Sequence, residues 1–429
     1  MEPRPDIAAA YRRGQLDEAR ALANAAIATA PDDEFLCFIL AVCAVRLHRP
    51  QEILAVLTHW ASRHNDRGVL CNRVLRQLLD DRHYAELLAV LDGVPREAPW
   101  HILCLYYAGC ALMMTNRRAE AFPLFQRFRE TLPHYMAHVD FLENTELNVI
   151  FRQGRLIAGG EDLRQRLETE APVPAVTFLS PPLAQMDGVL FAACNSGYFN
   201  AMGERFVDAM AELRGPTLGI HVHVAGPDQA SRELMERLTL RHGAAVAFSI
   251  EEPPLVASVT YYSCARFFVM EEMLGFHGKD ILCLDLDQSL TLPPQTLLAQ
   301  SRGYDFCCFS TDRNDPASIY WATIMSFPHG NARTLSFIDV LRRFCWRELS
   351  NPSFVNWMLD QAALYSLLSD PGIREGLRFG DFRSLMGLKL SEVSVPIISE
   401  GEKFGLKDRI FRAEGVEVDL LPEGPSDQP

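Results

Sequence analysis

The first third of the chain is a run of helical patterns that repeats itself. Glu18, Glu52, Glu86 and Glu120 stand 34 residues apart, and Leu22, Val56, Val90 and Leu124 keep the same spacing. Pro31, Pro99 and Pro133 share it, with Asn65 in the remaining place. Each unit holds two stretches with apolar residues at helical spacing. The second runs, for example, from Leu16 to Ala30, before a Pro or Asn that ends it. Small residues such as Ala10 and Ala44 recur where two helices would cross closely. The spacing predicts helix pairs from near the N-terminus to about Pro133, with His134 to Leu167 as a further helical cap. Residues 1–170 are thus expected to form one all-α solenoid.

The pattern then changes. Ala171 to Met186 carries four prolines and no helical period, which predicts a linker over 171–186. From 187 to 412 short apolar runs alternate with amphipathic stretches. Val189 to Ala193, Leu218 to Val224, Ala244 to Ile250 and Ile281 to Leu284 read as strands. Tyr198 to Leu213, Ala230 to Arg241 and Tyr261 to Leu274 read as the helices between them. Strands are expected again near Phe306 to Ser310 and Ile319 to Phe327, then helices over Ala332 to Arg347 and Val355 to Leu368. The alternation implies an α/β domain with a largely parallel sheet. Residues 413–429 are polar and rich in Pro and Gly, as in a loose tail.

Composition narrows the function. The net charge is −14 with no basic block, which argues against a nucleic-acid surface. The four lysines, Lys279, Lys389, Lys403 and Lys407, all lie in the second half. The eleven cysteines include no C-x-x-C pair, and an odd count in a long chain fits reduced, buried thiols. Met1 to Asp6 lacks the apolar core of a signal peptide, and no stretch suits a membrane span, so a cytoplasmic location is expected.

Candidate chemistry centres on Asp285 and Asp287, which follow the apolar run Ile281 to Leu284 at i, i+2 spacing. The carboxyl end of a central strand is the ligand edge of an open α/β sheet. If the strand stays extended there, both side chains share a face and can share one hard cation, Mn²⁺ or Mg²⁺. Asp287 is then expected to be partly exposed to the cleft. Lys403 and Lys407 are four apart, on one face if helical. His221 and His223 form an H-x-H, but with no other ligand spacing nearby they read as one face of a packed or edge strand.

The 34-residue helix-turn-helix period resembles tetratricopeptide repeats. Such arrays bind peptides or other proteins, which implies a possible protein or peptide acceptor held by the repeats; a purely structural role is the alternative. From Asp187 to Arg412 the order of motifs resembles GT-A-fold glycosyltransferases, in the glycogenin-like and lipopolysaccharide-sugar-transferase group. Val189 to Asn195 with Tyr198 looks like their nucleotide-binding strand and turn, and Tyr262 to Phe267 like the helix before their D-x-D strand. Asp285 and Asp287 match the D-x-D. Trp357 with Asp360, Gln361 and Leu364 looks like their W-x-x-D-Q-x-x-L helix, and Ser399 to Lys407 like their C-terminal Gly/Lys segment.

The resemblance implies a transferase using a nucleotide-sugar donor. Asp287 would bind a divalent metal, and Asp285 the metal or a ribose hydroxyl. Asn195 and Tyr198 would hold the base. Arg266, Lys403 and Lys407 would meet the diphosphate or donor sugar, and Asp360 and Gln361 the sugar or acceptor. The family often has a third, histidine ligand where Ser399, Glu400 and Glu402 stand here. That departure keeps open a non-catalytic repeat scaffold with a degenerate GT-A domain.

Overall fold

The computed structural model describes residues 4–63, 68–98, 100–137, 150–151, 154–350, 358–399, 402 and 405. The chain divides into two compact units. The first comprises Met1–Ala158 with the short segment Arg313–Pro316, and the second comprises Gly159–Asp312 with Ala317–Pro429.

The first unit is helical: α1 (Arg4–Arg12), α2 (Leu16–Ile27), α3 (Glu34–Arg46), α4 (Pro50–Arg63), α5 (Val69–Asp80), α6 (Tyr84–Asp92), α7 (His101–Met114) and α8 (Arg118–Ala137). The starts of α2, α4, α6 and α8 fall 34 residues apart. The repeated glutamates, Glu18, Glu52, Glu86 and Glu120, all lie in the first turn of these helices. There a carboxylate meets the positive end of the helix dipole.

One turn joins the helices of each pair. Gly14, His48, Arg82 and Asn116 have φ of 75°, 55°, 61° and 60°. The residue after each donates its N–H to the carbonyl five residues back: Gln15 to Ala10, Arg49 to Ala44, His83 to Leu78 and Arg117 to Leu112, at 2.8–3.0 Å. This left-handed cap satisfies carbonyls that the helix end would otherwise strand. Around α1 to α3, Ile7, Ala10, Ala19, Ala23, Leu36, Ile39 and Leu40 form one buried cluster.

The second unit is a mixed α/β domain. Its eight-stranded sheet has the order β1-β4-β3-β2-β5-β8-β7-β9. The strands are β1 (Val176–Phe178), β2 (Gly188–Asn195), β3 (Leu218–Ala225), β4 (Val246–Glu251), β5 (Asp280–Leu284), β7 (Phe306–Ser310), β8 (Tyr320–Phe327) and β9 (Phe379–Asp381). β6 (Gln288–Leu290) and β10 (Ser394–Pro396) pair separately. β2 to β5 run parallel, whereas β1 and β8 run against their neighbours. The sheet is therefore less parallel than the strand–helix alternation predicts. β1, β6, β9 and β10 are three residues long, too short to leave a periodic signal.

The main helices of this unit are α9 (Gly160–Leu167), α10 (Ser196–Leu213), α11 (Gln229–His242), α12 (Val259–His277), α13 (Pro294–Ser301), α14 (Ala332–Leu349) and α15 (Leu359–Ser369). α9, expected as a cap on the helical array, groups with the second unit. Arg166 of α9 pairs with Glu348 of α14 at 2.7 Å, both largely buried, and lies over the ring of Phe344. The expected linker contains β1, which pairs with β4. α12 is apolar on nearly every face because β2 and α14 both contact it. No helix among the described residues is long and apolar enough to cross a membrane, and all eleven cysteines are buried and free.

His221 and His223 are fully buried on β3, and they belong to a continuous polar chain rather than an apolar face. The Leu183 N–H donates to His277 Nδ1 at 3.1 Å, so His277 carries its proton on Nε2 and donates to His221 Nδ1 at 2.9 Å. His221 Nε2 then donates to Ser249 Oγ at 2.7 Å, and the Ser249 hydroxyl to His223 Nδ1 at 2.9 Å. His223 Nε2 faces the Glu251 carboxylate at 3.6 Å, which also accepts from Tyr261 at 2.6 Å. The backbone N–H at one end sets every tautomer along the chain.

Two predictions follow from these features. Gly14 has open space where a Cβ would go, so Gly14→Ala pays only the backbone cost of a positive φ, about 1 kcal/mol. Arg82→Gly should shift stability the other way by a similar amount. Urea midpoints followed by far-ultraviolet circular dichroism check both signs.

The second prediction concerns pH. Burial lowers the His277 pKa to about 4 from 6.5, and burial with the neighbouring His277 and His223 lowers that of His221 well below its ordinary value. The unfolded chain therefore binds protons in this window that the folded chain does not. The stabilisation from neutral His277, on the order of 3 kcal/mol, is present above pH 6.5 and lost as pH falls toward 4. His277→Gln, compared with the parent across that window in urea titrations, should show a flatter stability–pH slope.

Candidate active site

β2 has β3 on one side and β5 on the other, both parallel to it. The chain winds outward through β3 and β4 and then returns to β5. The carboxyl ends of β2 and β5 thus flank the point where strand order reverses, which is where open α/β sheets bind ligands. Asn195 ends β2 and Asp285 follows β5.

β5 is the fifth of eight strands, and all its residues after Asp280 are buried. The Asp285 N–H extends its ladder by one bond, to Thr323 O on β8 at 3.1 Å. The chain then turns: Gln288 N–H donates to Asp285 O at 3.1 Å. Asp285 and Asp287 thus lie on a turn, not on one face of an extended strand, because Gln288 must enter β6 and pair with β10. The turn is pinned again where Ile397 N–H donates to Asp287 O at 2.9 Å.

Asp287 is less exposed than expected. Asp287 is only 4% exposed, whereas the Asp285 side chain is 27% exposed. Asp287 accepts the Tyr198 hydroxyl at 2.5 Å. Burial, with Asp287 and Asp285 adding to it, raises the Tyr198 pKa, so the phenol stays a donor. Asn195 caps α10, its side chain accepting the Tyr198 N–H at 2.9 Å. That bond sets the first turn of α10 and so delivers Tyr198 to Asp287.

Arg266 of α12 is 7% exposed and stands between two carboxylates: Asp285 at 2.6 Å and Asp360 of α15 at 3.8 Å. It also donates to Ala322 O of β8 at 2.9 Å and Ser263 O at 3.0 Å. Burial opposes its charge, but Asp285 and the neighbouring acidic groups outweigh that and raise its pKa. Burial raises the Asp360 pKa, with Arg266 opposing and Asp285 reinforcing the shift. Asp360 also accepts the Gln361 N–H at 2.9 Å. Gln361 Oε1 is buried without a hydrogen-bond partner among the described residues, an arrangement that costs about 1–3 kcal/mol unless a ligand or water donates to it.

Six of the residues singled out in the sequence therefore belong to two linked contacts at one strand end: Asn195–Tyr198–Asp287 and Asp285–Arg266–Asp360. Lys403, Lys407, Trp357 and Glu400 lie outside the described residues. Sequence reasoning missed the carbonyls of Ala322 and Thr323, since backbone acceptors leave no residue signature. It also missed the Tyr198–Asp287 bond, whose partners lie 89 residues apart.

Two carboxylates suit a hard cation that keeps waters and phosphate oxygens as its other ligands. Among the described residues, no third Asp, Glu, His or Cys completes a close three-ligand group with them.

The second unit is thus a mixed α/β domain of the kind that binds ligands at its strand ends. No protein-family model matches the chain, and no curated protein does. Among solved structures it is similar to apo WbbM, a bifunctional glycosyltransferase: 12% identity, covering 44% of this chain and 38% of that one, TM-score 0.32. It is similar to the apo glycosyltransferase GlyE of Streptococcus pneumoniae TIGR4: 12% identity, 54% and 51% coverage, TM-score 0.33. It is also similar to the galactosyltransferase LgtC in complex with donor and acceptor sugar analogues: 14% identity, 55% and 98% coverage, TM-score 0.32. The chain spans less than two thirds of the length of the first two. Likeness at this level carries no argument about activity.

The electrostatics generate a prediction. Arg266→Met leaves Asp285 and Asp360 without their cation and should cost about 3–5 kcal/mol. Adding Asp360→Asn removes the buried charge and should recover part of the loss. Chemical unfolding of the single and double variants checks this; equal losses would remove the proposed charge coupling.

Proposed function

We propose that the second unit is a metal-dependent glycosyltransferase, moving a sugar from a nucleotide-diphosphate donor to an acceptor. The observation that carries the reading is the convergence of Tyr198, Arg266, Asp285, Asp287 and Asp360 at the carboxyl ends of β2 and β5. In such a transfer the bond between the anomeric carbon and a phosphate oxygen breaks, and charge collects on the leaving diphosphate. Mn²⁺ or Mg²⁺, when bound, would neutralise that charge as a Lewis acid.

The chain's own residues have separable parts in this proposal. Asp285, the more exposed carboxylate, offers the metal-facing oxygens or meets a ribose hydroxyl. Tyr198 holds the Asp287 carboxylate in its orientation. Arg266 acts mainly as a positioning residue, since its Nε and Nη1 donors go to Ser263, Ala322 and Asp285. Gln361, with its unpaired Oε1, suits a hydroxyl donor of the sugar or acceptor, and Asp360 orients the start of that helix. Asn195 shapes the nucleotide edge, and Lys403 and Lys407 are proposed to meet the diphosphate. The helical array is proposed to dock a protein or peptide acceptor, along a groove lined by Asn24, Ile27, Leu40, Val56 and His59.

One observation favours a second reading, a repeat scaffold with a degenerate domain: no third metal ligand stands among the described residues. Calorimetric titration of nucleoside diphosphates with Mn²⁺ or with chelator separates the two. The transferase reading expects affinity that falls at least about tenfold in chelator and in Asp285→Asn. Equal affinity under all three conditions would sink the metal role.

A further inference from the structure

We propose that His48, His83 and Glu86 of the helical array form a transition-metal site of the kind that takes Zn²⁺. The three lie in adjacent repeats. His48 occupies the left-handed turn after α3, His83 is the residue before α6, and Glu86 is in the first turn of α6. One ligand atom from each lies within 4.8 Å of the other two.

The repeat itself singles the place out. At the register of His83, Arg49 and Arg117 pair with the glutamate three residues on, Arg49–Glu52 at 3.1 Å and Arg117–Glu120 at 2.5 Å. In the third repeat that permanent cation is replaced by an imidazole. The turn of the preceding repeat supplies a second imidazole to the same glutamate, His48 Nδ1 to Glu86 Oε1 at 2.5 Å. His83 Nδ1 stands 3.9 Å from Glu86 Oε2. Two neutral imidazoles and one carboxylate are a common open zinc set, with a fourth position left to water.

The spacing needs little change. Two ligands on a tetrahedral zinc at about 2.0–2.1 Å stand roughly 3.3 Å apart. His48 and Glu86 are closer than that, and His83 and Glu86 farther, so a small shift of the Glu86 carboxylate toward His83 equalises them. His48 is 65% exposed, which leaves the site open to solvent. A bound ion would tie the turn of one repeat to the helix start of the next. That cross-link falls at a joint between repeats, where an array depends on neighbour contacts.

The test uses the full chain, Zn²⁺ as probe and a chromogenic chelator as competitor. His83→Arg is the key variant, because it recreates the Arg–Glu pair of the second and fourth repeats and so spares the fold. The parent should bind one equivalent more than His83→Arg, or bind it about 100-fold more tightly. Co²⁺ should give the parent a tetrahedral-type visible spectrum that the variant lacks. Asp285→Asn should leave this difference in place, which separates the site from the strand-end carboxylates. Equal zinc binding by parent and His83→Arg, or no binding by the parent, would overturn the proposal and leave His48–Glu86 as a hydrogen-bonded pair.

Discussion

A buried guanidinium holds the second unit's strand end together. Arg266 takes a charge out of water, which costs several kcal/mol before any partner is counted. Its partners come from four elements: Asp285 after β5, Ala322 on β8, Asp360 on α15 and Ser263 on its own helix. A hydrophobic residue of the same volume could be as stable. What the guanidinium adds is directional: one registry of helix, strand and carboxylate brings Ser263 O, Ala322 O and Asp285 to its Nε and Nη1. The position of Asp285, and through it the candidate site, depends on that registry.

The Tyr198–Asp287 contact does the same job from the other side of the switch point. Asn195 fixes the start of α10, α10 carries Tyr198, and Tyr198 orients Asp287. The two aspartates are thus held by different helices, α12 and α10, although they are only two residues apart. A turn between them is what lets each reach its own partner. One carboxylate is sealed in and the other keeps a solvent face, so two chemically identical groups are given unlike surroundings.

Much of this was legible in the sequence. The helical array showed in its 34-residue register, because every pair of helices must solve the same packing problem. The strands β2 to β5 showed as apolar runs, because both of their faces are covered. Asp285 stood out as a charge after an apolar run, whereas Arg266 and Asp360 were singled out by the motif resemblance. The rest was hidden for physical reasons. Three-residue strands carry no period, and carbonyl acceptors such as Ala322 O carry no residue identity. The antiparallel course of β8 depends on a return path that local pattern does not record. The histidines of β3 read as packed residues and are buried, but their proton order is set by the Leu183 N–H, far away in sequence.

The left-handed turns at Gly14, His48, Arg82 and Asn116 have a consequence for how such an array can change length. Each turn aims the following helix at one angle, and a helix advances about 100° per residue. Deleting a single residue there would rotate the next apolar stripe toward water and propagate the error to every later repeat. Removing or duplicating a whole 34-residue unit leaves each stripe facing its neighbour. The array can therefore grow or shrink only in whole steps, and its length is a count rather than a continuous variable.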